Sequence, residues 1–183
     1  MHVDDKDSKG KKTATGGILM ALAVLCIVLS GILEFNTLFL LAAASFFVGV
    51  VIRESGLAAG AAFYAGTVLL GFLLAPQKLY CVTFAAMGAY ILCVEWIFRQ
   101  IGRRMRGVRR QIFFWAGKIL LFNLLYLPAL IFFPRLLFAG GLRGAWLWGA
   151  AAAGQIVFLI YDRAYEYFLT VLWEAFRGRL GLR

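Results

Sequence analysis

Apolar residues run along this chain in long continuous blocks, and short polar stretches divide them. A membrane-spanning helix needs about 20 mainly apolar residues, with a range of about 17–25. The blocks predict six such helices, over 17–33, 38–52, 56–75, 79–98, 112–133 and 144–161. "EFNT", "RES" and "PQK" turn the chain between the first four. Pro76 is a natural stop for the third helix, because proline cannot continue the hydrogen-bond ladder. Pro128 lies inside the fifth helix and predicts a kink. A β-barrel is excluded, since its strands alternate in short segments rather than running continuously apolar. The fold class is therefore all-α, a polytopic transmembrane helical bundle of six helices. Residues 1–16 are expected to be a disordered tail, 17–161 the transmembrane domain, and 162–183 an amphipathic helix on the cytoplasmic side.

Composition sharpens this picture. The 183 residues are 63% hydrophobic and 15% charged, with a mean hydropathy of +0.85. Soluble domains average about 45–50% apolar and about 25% charged. No single soluble core could hide so much apolar surface, and a bilayer removes the need. A basic tail before an apolar run also fits a signal peptide. No A-x-A-like site follows, so the run reads as a retained first span.

Lysine and arginine predict orientation. With six spans, fifteen of them collect on one side and three on the other, and Lys118, inside the fifth helix, completes the nineteen. This predicts both termini in the cytoplasm. The largest contribution is "RQIGRRMRGVRRQ", with Arg99, Arg103, Arg104, Arg106, Arg109 and Arg110. Its primary reading is a topology marker. A second is contact with anionic lipid headgroups, at about 1 kcal/mol per charge. Nucleic acid is not expected, because the stretch has no interleaved aromatic and no surrounding binding fold.

Ionisable and amide groups at membrane depth are candidate functional positions. At 1.5 Å rise per residue, Glu95 and Lys118 lie roughly 5 and 9 Å from one membrane face. An intramembrane ion pair between them is expected. Asn123 and Gln155 both fall near the midplane, where an amide pair would join two helices or line a ligand cavity. Ala58, Ala62 and Gly66, with Gly17 and Ala21, form small-residue ridges suited to helix packing or to docking of a partner. Asp162, Glu166, Thr170 and Glu174 make an acidic stripe at a spacing of four.

Catalysis and metal binding have little support. There is no serine-histidine-acid set, HExxH, P-loop or GxGxxG. The single histidine, His2, lies in the polar tail, and Cys26, Cys81 and Cys93 sit in apolar runs without CxxC spacing. No enzyme activity, metal or cofactor is expected.

Helices two to four, "FLLAAASFFVGVVIRESGLAAGAAFYAGTVLLGFLLAPQKLYCVTFAAMGAYILCVEWIF", resemble the S component of energy-coupling factor vitamin transporters. More broadly the chain is similar to an uncharacterised family of six-helix membrane proteins of Gram-positive bacteria, in "ESGLAAG", "APQKLY", "KILLFN" and "FLIYDRA". The resemblance implies a bacterial cytoplasmic membrane. It also implies a subunit that binds a vitamin or metal from outside and docks on a shared coupling subunit with ATPases, with Gly17 and Ala21 on the docking face. A ligand would then meet Asn123, Tyr126, Trp146, Trp148 and Gln155, with Arg135 or Arg143 taking an anionic group. Two features depart from that pattern. "EFNT" is only four residues, where S components commonly carry a longer loop over the ligand, and the outer half offers few convergent polar groups. The alternative is a non-enzymatic membrane scaffold, a partner subunit of an envelope or division complex.

Overall fold

The computed structural model describes residues 3–33, 36–104, 108–132 and 145–179. Six long helices account for nearly all of them: α1 (Val3–Ser30), α2 (Thr37–Ser55), α3 (Leu57–Leu74), α4 (Lys78–Arg104), α5 (Val108–Phe132) and α6 (Ala145–Tyr167). A π-helical segment, Phe168–Trp173, and a short α7, Glu174–Arg179, follow α6 without a break. No strand occurs among the described residues. Among the described residues, five helices are long and apolar enough to cross a membrane: α1 from Gly10, α2, α3, α4 to Gly102, and α5 over Arg109–Pro128. The sixth, α6, carries Asp162, Arg163 and Glu166 in its last turns and is not among the five.

The chain divides into two compact units, Met1–Glu95 with Tyr167–Arg183, and Trp96–Glu166. In the first, α1, α2 and α3 each pack on the other two. Helix α2 is the centre, with Leu41, Ala44, Ser45, Val48, Gly49 and Ile52 buried at helical spacing. Ala23 and Ile27 of α1, Phe63 and Thr67 of α3, and Phe84 and Ile91 of α4 complete the core. Its hydroxyls turn back on their own helices. Ser30 donates to the Ile27 carbonyl at 2.7 Å, Ser45 to Ala42 at 2.7 Å and Thr67 to Phe63 at 2.8 Å. An apolar surrounding leaves a hydroxyl few other acceptors.

The turns follow from local chemistry. Thr37 donates to the Ser30 carbonyl at 3.1 Å, satisfying a free acceptor at the end of α1. Gly56 alone separates α2 from α3, at φ +93°, a conformation that L side chains rarely adopt. Lys78 donates to the carbonyls of Phe72 and Ala75 and so places its charge at the C-terminal end of α3, where the helix dipole favours a cation.

Two boundaries differ from expectation. Helix α1 begins at Val3, so the segment expected to be disordered is helical from there. The arginine-rich stretch, expected as a loop, is also mostly helix. Arg99, Arg103 and Arg104 belong to α4, and Arg109 and Arg110 to α5. Arg106 lies outside the described residues.

Large apolar side chains point outward along these helices, among them Ile18, Phe39, Leu69, Leu73, Leu120, Leu124 and Ile160. Water would penalise so extensive an apolar surface. Hydrocarbon does not, and the chain is an integral membrane protein with multiple spanning helices.

Candidate functional site

The polar residues at depth gather on facing helices α5 and α6 of the second unit. Lys118, Phe122 and Tyr126 of α5 meet Asp162, Phe158 and Gly154 of α6 in antiparallel register. Each set has a spacing of four, which places its members on one helix face. The Phe122 and Phe158 rings stack with centroids 4.3 Å apart. Gly154 lies directly under the Tyr126 ring, and a Cβ there would collide with it. The Tyr126 hydroxyl donates to the Ala150 carbonyl at 2.8 Å.

Asn123 and Gln155, placed at one depth by the sequence, are joined directly. Gln155 Nε2 donates to Asn123 Oδ1 at 2.8 Å, and Asn123 Nδ2 donates to the Ile119 carbonyl at 2.9 Å. Each amide therefore spends hydrogen-bonding capacity inside the protein. Of the other residues expected at a ligand, Trp148 points outward at 81% exposure. The Trp146 side chain, Arg135 and Arg143 lie outside the described residues.

Lys118 is held differently from expectation. Its Nζ lies 2.8 Å from Asp162 Oδ2 and 2.8 Å from Glu166 Oε1. The side chains of Lys118 and Asp162 are 2% and 0% exposed, and that of Glu166 is 43% exposed. Glu95, the partner expected from depth, instead lies 3.9 Å from Arg53 Nε in the first unit. The partner of Lys118 comes from α6 rather than from α4. The sequence pattern ends the sixth span at Tyr161 and continues it into the amphipathic segment, and α6 runs unbroken to Tyr167, with Asp162 and Glu166 beside α5. Charges this deep persist only when paired, and removing one partner of such a pair costs about 3–5 kcal/mol.

Aromatic rings surround the cluster. Lys118 Nζ lies 4.7 Å from the Phe114 ring centre and 5.1 Å from that of Trp115. The Arg163 guanidinium also stands over Trp115, 5.2 Å from its ring centre. Phe114 meets Phe98 edge-on at 5.2 Å, and Arg110 lies 4.7 Å over Phe98. Such contacts contribute about 0.5–1 kcal/mol when exposed and about 2 when desolvated.

In the first unit, the inward face of α3 is Gly60, Phe63, Thr67 and Gly71 rather than the expected ridge. Ala58 and Ala62 face outward, and Gly66 packs against the Met20 side chain. Gly17 and Ala21 also face outward from α1. A water-sized cleft lies between α1 and α2, lined by Lys12, Thr15, Gly16, Leu19, Val51 and Glu54.

One contact has no counterpart in the sequence pattern. Trp173 of the π-helical segment donates its indole N–H to Glu54 Oε1 at 3.0 Å. Phe168 packs beside Phe46 and Phe47, at 5.4 and 6.1 Å between ring centres. The one signal in the sequence is the tryptophan itself, whose apolar body and single donor suit a buried acceptor. Among the described residues, no group of three metal-ligating side chains occurs. Comparison with protein-family models, with curated proteins and with solved structures gives no match for this chain.

Proposed function

We propose that this protein is a non-enzymatic scaffold or partner subunit of a membrane complex, and that its polar groups at depth hold its own helices together. The observation that carries the proposal is the Asn123–Gln155 hydrogen bond of 2.8 Å. The amides nearest the midplane, with Tyr126 beside them, are engaged with protein groups rather than arranged around a space. The same arrangement serves a rigid platform whose outward faces meet other membrane proteins. In this reading α6 is the sixth span, its charged end neutralised in part by Lys118, and both termini face the cytoplasm of a bacterial cytoplasmic membrane. The fifteen-to-three division of lysine and arginine supports that orientation.

A second reading is an S-component-like binding subunit for uptake of a vitamin-type molecule, served by a coupling subunit with ATPases. The outward small residues Gly17, Ala21, Ala58 and Ala62 favour it, since they allow close approach of a partner helix. Purification in mild detergent with mass spectrometry separates the two. Envelope or division proteins, with no bound small molecule, are expected. Recovery of a coupling subunit with ATPases, or of a retained vitamin, would replace the first reading by the second.

A further inference from the structure

Every charged side chain described in the second unit lies at one end of it. Arg99 is on the last part of α4, Arg109, Arg110 and Lys118 are in the first half of α5, and Asp162, Arg163 and Glu166 are in the last turns of α6. Both carboxylates are engaged by Lys118. Four guanidiniums therefore share this end with a cluster whose lysine is already matched.

Two of the four are mounted on aromatic faces, Arg110 on Phe98 and Arg163 on Trp115. Among the described residues, neither has a carboxylate within ion-pairing distance. Stacking orders a guanidinium and leaves its in-plane N–H donors available, a geometry that suits bidentate contact with phosphate. The same helix segments expose Trp96, Phe98, Ile112 and Phe113, at 42–62%. A soluble polyanion would leave those apolar groups against water. An amphiphile would cover both, with its phosphate on the arginines and its chains on the apolar side chains.

We propose that this end of the second unit binds anionic phospholipid, with Arg110 and Arg163 each receiving a headgroup phosphate. The site is distinct from bulk attraction of a basic surface, because aromatic rings orient these two arginines in advance.

Native mass spectrometry of the full chain in detergent, with added phosphatidylglycerol or phosphatidylcholine, tests this. Phosphatidylglycerol is expected to be retained preferentially. Removing one basic charge near an anionic lipid surface implies a loss of about fivefold, so Arg110→Gln and Arg163→Gln should each lower retention by more than about fivefold, and the pair together by more than about 25-fold. Arg109→Gln removes the same charge without an aromatic mount and should lower retention less. Phe98→Leu keeps every charge and should still weaken retention. Arg110→Lys, which keeps the charge, serves as a folding control, with thermal unfolding compared across all variants. Equal retention of the two lipids overturns the proposal. So does unchanged retention in the double variant, or a decrease in Arg109→Gln as large as in Arg110→Gln. Displacement of the lipid by inorganic phosphate would assign the site to a free anion, and displacement by an RNA oligonucleotide to nucleic acid. Either result would also overturn the lipid assignment, and neither bears on the scaffold reading.

Discussion

Lys118 and Asp162 form a 2.8 Å ion pair in which neither side chain keeps more than 2% of its surface exposed. Lys118 also touches Glu166, so one ammonium group serves two carboxylates on successive turns of α6. The pair holds α5 to α6 at the charged end, as the Asn123–Gln155 bond does closer to the middle.

Breaking this pair from one side should be more damaging than removing it. Lys118→Met alone is expected to cost about 3–5 kcal/mol, because the buried Asp162 carboxylate is left uncompensated, whereas Asp162→Leu leaves Lys118 its Glu166 partner and should cost less. The Lys118→Met/Asp162→Leu double variant should recover much of that stability. Thermal and denaturant unfolding in detergent measure all three. Additive effects would contradict a direct pair.

The amide contact should be weaker. Asn123→Ala, Gln155→Ala and the double variant form a cycle whose coupling energy is expected near 1 kcal/mol, in the range of measured interhelical hydrogen bonds in membranes. A coupling of zero would mean that the two amides do not depend on each other.

Gly154 tests the fit of α6 against α5. Gly154→Val must displace the Tyr126 ring and is expected to destabilise by about 1–3 kcal/mol, the usual cost of overpacking. Tyr126→Ala opens the space, so Gly154→Val should cost less in that background. The comparison uses unfolding midpoints of the four proteins.

Orientation has a direct readout. A reporter active only outside the cytoplasm should be silent when fused after Arg183 and active when inserted between α1 and α2. The opposite pattern would reverse the charge-based assignment.

The spanning helices were legible because a bilayer imposes length and hydropathy together, so α2, α3 and α5 could be placed within a few residues. Small features were less accessible. Periodicity alone gave α3 a ridge at Ala58, Ala62 and Gly66, yet a helix this apolar offers no polar face to mark its outside, and burial chose Gly60, Phe63, Thr67 and Gly71 instead. Asn123 and Gln155, expected at one depth, meet because one helix pair contains both. Lys118 meets α6 rather than α4, because depth alone does not choose which helix supplies the partner. The Glu54–Trp173 bond, between residues far apart in sequence, left no local pattern at all.

That last contact sets an order on synthesis. Glu54 and Phe46 emerge early, whereas Trp173 and Phe168, which cover them, lie more than a hundred residues later. At translation rates of about 5–20 residues per second, the α2 surface waits roughly 6–24 s for its own chain to return. During that interval the contacts of Glu54 with Trp173 and of Phe46 with Phe168 are not yet made. The returning segment thus closes this part of the first unit only after α3 to α6 have been made.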